Sequence, residues 1–137
     1  MILEVLDTKL VNGSTWALCK GNLLQYLQGL KTDFFEFSVQ RKIVNNVYLD
    51  NIYHSVEQGE PFPPVTLTYS GVIPSGVRGA IDINENNVEI LDGLQRTYRL
   101  WVILFFEKLI KENGARDFKS LAEAAKSSEE GEVILQN

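Results

Sequence analysis

From Ser14 to Lys20 the chain reads Ser-Thr-Trp-Ala-Leu-Cys-Lys, a pattern that predicts a strand, and Gly21-Asn22 opens a short helix in which Leu23, Leu24, Leu27 and Leu30 recur at helical spacing. Phe34, Phe35 and Phe37 predict an extended segment. Between Val44 and Gln58 the apolar positions Leu49, Ile52, Tyr53 and Val56 follow the i, i+3, i+4, i+7 rule while Asp50, Asn51, Glu57 and Gln58 take the other face, so an amphipathic helix is expected there. Gly59 is placed to end it in a left-handed cap, and Pro61, Pro63 and Pro64 prevent its resumption, because proline lacks the amide donor and restricts its predecessor.

Val65-Thr66-Leu67-Thr68-Tyr69 alternates apolar and polar residues as a one-sided strand does. Gly71, Pro74, Ser75 and Gly76 mark a surface connection into Ala80-Ile81-Asp82-Ile83, and Asn84-Glu85-Asn86-Asn87 is a turn leading to Val88-Glu89-Ile90-Leu91. The last two strands are expected to form a hairpin. Asp92-Gly93 then leads into a long helix, about 94–113, that closes at Asn113-Gly114. Leu94, Tyr98, Trp101, Val102, Phe105 and Leu109 share one side of it, and Leu100, Ile103, Leu104 and Ile110 widen the apolar arc, which predicts a central buried helix. A shorter helix over 117–127 and a strand Val133-Ile134-Leu135 complete the expected order. Interspersed strands and helices, without regular βαβ alternation or a glycine-rich dinucleotide turn, indicate an α+β fold: a small domain spanning 1–137 with a mixed sheet packed against a long central helix.

Composition narrows the class. With 137 residues, 45% hydrophobic and 23% charged, the chain has enough apolar material for a folded core and is not disordered. The longest apolar run, Leu100 to Phe106, is far short of the roughly 20 residues that span a bilayer. Met1-Ile2-Leu3-Glu4 has no basic start of a secretory signal, so a cytoplasmic protein with no membrane partner is expected. A net charge of −5 excludes a whole-surface basic field for nucleic acid but leaves room for a local patch. His54 is the only histidine and Cys19 the only cysteine, so a zinc or histidine-metal site is not expected, and neither haem nor flavin is. His54 reads as a helix-surface residue, and Cys19, in an apolar strand without a CxxC partner, reads as structural.

The chemistry concentrates in Val88-Glu89-Ile90-Leu91-Asp92-Gly93-Leu94-Gln95-Arg96-Thr97-Tyr98-Arg99, where a strand delivers Asp-Gly-x-Gln-Arg to the start of a helix. The unpaired amides of a first helical turn attract anions, Gly93 lets a ligand approach the backbone, and Arg96 or Arg99 can add charge-assisted contacts to a phosphate, with Asp92 holding a phosphate-bound Mg²⁺. The same residues also fit a capping box, with Asp92 as N-cap and Gln95 at the third helical position, which needs no ligand. A second candidate is Gln40-Arg41-Lys42, whose cations can reach a phosphate if the fold brings them to the Asp92 turn.

Gln40-Arg41, the helix Tyr48-Leu49-Asp50-Asn51-Ile52-Tyr53, the stretch Gly59-Glu60-Pro61-Phe62-Pro63-Pro64-Val65-Thr66-Leu67 and the run Ile90-Leu91-Asp92-Gly93-Leu94-Gln95-Arg96 resemble, in this order, the DGQQR-type N-terminal domain of the ParB/sulfiredoxin-like superfamily. That domain occurs in GmrSD-type restriction proteins and related prokaryotic defence proteins, and the resemblance covers about residues 34–105. It implies a nucleotide-binding and often NTP-hydrolysing domain working with Mg²⁺ and a nucleoside triphosphate. Carried over residue by residue, it nominates Asp92, Gln95 and Arg96 as catalytic and Gln40, Arg41, Gly93 and Arg96 as nucleotide-binding; Arg99, one turn on, joins these from the local pattern. Leu94 stands where the family carries a polar residue, and Lys42-Ile43-Val44 follows Gln40-Arg41 in place of an aromatic-Trp signature. Larger members carry a C-terminal nuclease or effector region, which the resemblance places outside this chain. The alternative is a non-catalytic DNA-associated regulatory module on the same fold, like the related DGQHR proteins of DNA sulfur modification, or a protein-interaction domain.

Overall fold

In the computed structural model, which describes residues 1–35, 49, 51–114 and 117–136, strands and helices are interspersed as an α+β fold. Strand β1 (Ile2–Val11) turns at Asn12-Gly13 into β2 (Ser14–Gly21), followed by helix α1 (Leu23–Gln28) and, after residue 50, helix α2 (Ile52–Glu57). Strands β3 (Thr66–Tyr69), β4 (Gly79–Asp82) and β5 (Val88–Asp92) lead to the long helix α3 (Leu94–Asn113), and helices α4 (Phe118–Ala125) and α5 (Glu129–Gln136) follow.

Helix α3 has the bounds its periodicity predicts, and α1, α2, α4 and α5 all pack against it. Gly114, at φ 60°, closes it, with its amide donating to the Ile110 carbonyl at 3.0 Å. Its buried side carries Leu94, Tyr98, Leu100 and Trp101, which join Tyr26 and Leu27 of α1, Phe34 and Phe35, and Ile90 of β5 in one core. Phe34 meets Trp101 edge-on at 5.3 Å between ring centroids and Phe35 meets Tyr98 at 5.1 Å, the T-shaped geometry that aromatic quadrupoles prefer. Gly59, at φ 81°, follows α2 as expected, and His54 is exposed on that helix. The expected start of this helix, 44–48 and 50, lies outside the described residues, as does Phe37.

Four expectations are corrected. First, β1 has no counterpart in the pattern read above, although Asn12 at φ 51° and Gly13 at φ 80° make the two-residue turn that demands positive φ at both positions. Second, β4 and β5 do not pair as a hairpin. β4 pairs antiparallel with β1 (Ile2 with Asp82, Val5 with Gly79), and β5 pairs antiparallel with β3 (Leu67 with Ile90, Tyr69 with Val88). The described strands thus form two antiparallel sheets, β2-β1-β4 and β3-β5, rather than one mixed sheet. The 3₁₀ turn Glu85–Asn87, capped where Asn84 accepts from the Asn86 amide at 3.0 Å, moves the chain from one sheet to the other. Third, Phe34 and Phe35 sit in a turn, with the Phe34 amide donating to the Lys31 carbonyl at 3.1 Å. Fourth, Val133-Ile134-Leu135 is helical within α5. Ser128 Oγ accepts from the Gly131 amide at 3.1 Å, and Glu129, Glu130 and Glu132 place negative charge at the positive end of the helix dipole.

The chain start stitches β1 to β4. The Met1 ammonium donates to Asp82 Oδ1 at 3.0 Å, to the Ile83 carbonyl at 2.9 Å and to Glu85. The bond to Glu85 raises the ammonium pKa above its usual 8.0, and the same bond lowers the Glu85 carboxyl below its usual 4.5. The ammonium's contribution is complete below pH 8.0 and is lost as pH rises through the raised value; that of Glu85 is complete above pH 4.5 and is lost as pH falls through the lowered value. Thermal midpoints should therefore form a plateau between these limits and fall on both sides, and Glu85→Gln should lower the plateau and soften both shoulders. Shoulders of equal steepness in Glu85→Gln and the parent would contradict this assignment.

Candidate functional site

Strand β5 ends at Asp92, still laddered opposite Thr66 of β3, and the chain turns through Gly93 into the first turn of α3. Because the ladder holds Asp92, the helix starts one residue later than a capping box requires. Gly93, at φ 96° and ψ 8°, is the N-cap and supplies no side-chain bond, so the box of Asp92 with Gln95 is corrected. The Thr97 amide donates to the Gly93 carbonyl at 3.0 Å, at the positive end of a 20-residue helix.

Only a residue without Cβ fits at 93. A Cβ there would stand 2.6 Å from Val65 Cγ1 and 3.2 Å from Arg96 Nη2. The Pro-rich stretch ahead of β3 is thereby drawn against the helix start, and Arg96 Nη2 donates to the Pro64 carbonyl at 2.9 Å. The same nitrogen lies 3.6 Å from Asp92 Oδ2, an i, i+4 ion pair whose acid is largely exposed. Arg96 Nε is buried and finds no acceptor among the described residues, which is unusual for a guanidinium donor. Beneath this turn Thr97 is fully buried, with its Oγ1 3.1 Å from the Tyr26 hydroxyl. Burial pushes the Tyr26 phenol up, and the Thr97 bond and the Arg96 charge oppose it.

The structure thus brings Asp92, Gly93, Gln95 and Arg96 together at one strand-to-helix turn, with Arg99 half-buried one turn further along α3. Gln40 and Arg41 lie outside the described residues. Sequence reasoning missed the Pro64 carbonyl, whose partner is 32 residues away, and the Tyr26–Thr97 pair beneath the turn. The proline run was visible as a helix stop, but nothing in it signalled a contact with Arg96.

The remaining candidates hold no comparable arrangement. Cys19 is half-buried in β2, and burial raises its thiol pKa, which disfavours the thiolate. A small cavity is lined by Met1, Gly29, Lys31, Phe34, Glu85 and Ile90, away from the Arg96 side chain's partners. No cluster of three or more His, Cys, Asp or Glu occurs among the described residues, so a metal at Asp92 would take most of its oxygen ligands from phosphate and water, as Mg²⁺ commonly does. Among the described residues no helix is long and apolar enough to cross a membrane.

Comparison of the chain with protein-family models, with curated proteins and with solved structures found no match in any of the three.

Proposed function

We propose that this chain is a nucleotide-binding, NTP-hydrolysing domain of a prokaryotic restriction or phage-defence system, working in the cytoplasm, with the triphosphate held at the Asp92–Arg96 turn. The observation that supports this reading most is the start of α3, where among the described residues the helix N-terminus has no side-chain cap and the buried Arg96 Nε beside it has no acceptor. The positive end of the α3 dipole and the Arg96 guanidinium would bind phosphate oxygens. Asp92, exposed at the rim, has the oxygen donors that suit a phosphate-bound Mg²⁺. That ion, when bound, supplies neutralisation of phosphate charge. Arg96 would stabilise charge on a transferring phosphoryl group, and Gln95 and Asp92 would orient water. Gln40, Arg41 and Arg99 are proposed as further phosphate contacts.

One observation favours a second reading. Arg96 Nη2 is already engaged by Pro64 and Asp92, as it would be in a non-catalytic DNA-associated regulatory or protein-interaction module where the turn is structural. Calorimetric titration with GTP, ATP and CTP in Mg²⁺, followed by a phosphate-release assay, separates the two. The first reading expects saturable binding of at least one triphosphate and release of phosphate from it; absence of binding by all three transfers the assignment to the second.

A further inference from the structure

The β1–β2 pairing runs from Leu3 opposite Gly21 to Val11 opposite Ser14, but β4 accompanies β1 only over Ile2–Val5. Beyond that point Asp7–Val11 and Ser14–Leu18 form a two-stranded arm. Near its base, Thr8 Oγ1 accepts from the Gly76 amide at 2.7 Å and Asp7 pairs with Arg78 at 3.5 Å. The arm carries apolar side chains that the rest of the described fold leaves open: Leu10 is 61% exposed, Trp16 63% and Leu18 65%. A two-stranded ribbon open on both faces is marginal by itself in water. Among the described residues strand β2 is also an edge of its sheet, with eight residues of backbone along one side.

The side-chain pattern of β2 is complementary to itself. Cross-strand neighbours share a face, so Trp16 with Lys9 and Leu18 with Asp7 lie on the outer face. The two-residue turn makes Val11 and Ser14 a hydrogen-bonded pair; by the alternation of an antiparallel ladder, Thr15 and Ala17 direct their amides away from β1, toward the open edge. An antiparallel partner centred on Ala17 would set Trp16 beside a second Leu18, Thr15 beside a second Cys19 and Lys20 beside a second Ser14. Each outer row would then read Lys9, Trp16, Leu18, Asp7, with a cation at one end and an anion at the other. The parallel alternative would set Lys20 beside Lys20 and Trp16 beside Trp16, with like charges directly opposed.

We propose that β2 pairs antiparallel with β2 of a second copy of this chain, about a two-fold axis at Ala17, joining the two three-stranded sheets into one of six strands. The interface is isologous, as a two-fold contact requires, and its apolar centre is the quartet of two Trp16 and two Leu18 side chains. One strand edge and four side chains form a contact small beside the roughly 1,200–2,000 Å² of a stable interface, so the dimer dissociates on dilution.

Sedimentation equilibrium of the full chain over a concentration series tests this. The mass should rise from monomer toward dimer with concentration. Trp16→Lys, which places cations in the quartet, and Ala17→Pro, which removes the outward amide, should each remain monomeric with an unchanged far-UV circular dichroism spectrum. Trp16→Lys alters only an exposed side chain, so the test stands if Ala17→Pro fails to fold. Register is read separately: Thr15→Cys should form a disulfide with Cys19 of the partner subunit, seen as a dimer on a non-reducing gel when oxidised glutathione accepts the electrons. The opposed Cα atoms would be about 5.5 Å apart, within disulfide reach. A parent chain monomeric up to its solubility limit, a dimer that persists in Trp16→Lys, or cross-linking in Ala17→Cys but not in Thr15→Cys would each overturn the proposal.

Discussion

Trp101→Ala should lose about 3–5 kcal/mol of folding stability, the usual cost of deleting a buried aromatic ring from a packed core. Trp101 is 8% exposed, meets Phe34 edge-on at 5.3 Å, and lies 6.1 Å from Tyr98 and 6.3 Å from Phe35 between ring centroids. Phe34 and Phe35 belong to a turn rather than a regular element, so the ring also fixes that turn to α3. Domains of this kind have roughly 5–15 kcal/mol in total, so the substitution removes a large fraction of the whole. The check is the urea midpoint of the variant against Ile110→Ala. Ile110 is on the same helix but 44% exposed, and its truncation should cost under about 1 kcal/mol because little apolar surface returns to water. Equal midpoints for the two variants would show that the aromatic cluster does not form the core.

Gly93→Ala should be the most damaging single change at the strand-to-helix turn. A φ of 96° costs a residue with a Cβ about 1–3 kcal/mol, and here the added carbon also meets Val65 Cγ1 at 2.6 Å, which a stiff β-branched side chain cannot evade cheaply. Gly13→Ala is the control. Gly13 has φ 80° but open space around its Cβ position, so it isolates the backbone cost from the clash. Gly93→Ala should unfold at lower denaturant than Gly13→Ala, and any nucleotide binding should disappear in protein that remains folded. Equal unfolding midpoints would mean that Val65 yields and that the close approach is not required.

Much of this architecture was legible because particular residues punctuate it. Gly93 and Gly114 bracket α3 at both ends, the apolar arc from Leu94 to Leu109 runs unbroken between them, and Gly59 with the prolines stops α2. Strand β1 was not legible because its alternation changes phase. A bulge between Val5 and Asp7 inserts Leu6, so apolar residues fall at 2, 3, 5, 6, 10 and 11, and no single period of two fits them. The Asn84–Asn87 turn suggests a β4–β5 hairpin, but it hands the chain from one sheet to the other, where β1 takes β4 and β3 takes β5. Val133-Ile134-Leu135 has the residue types of a strand, but Ser128 and three glutamates specify a helix start just before it, and Val133 and Ile134 pack on the core from that helix. At the site, the turn and its residues were legible from Asp-Gly-x-Gln-Arg. The position of Asp92 was not, because a ladder contact with Thr66 decides whether it ends the strand or caps the helix.

The most direct test of the proposed triphosphate site is affinity for the bound triphosphate in Arg96→Ala, measured by calorimetry on protein shown to be folded by circular dichroism. Losing the bond to the Pro64 carbonyl should cost about 1 kcal/mol of stability, small enough to leave the domain folded. The account predicts saturable binding in the parent chain and none in Arg96→Ala, because the guanidinium stands in the first turn of α3, where the helix dipole is positive. Unchanged affinity in folded Arg96→Ala would contradict it and leave Arg96 as the tie between the proline stretch and the helix.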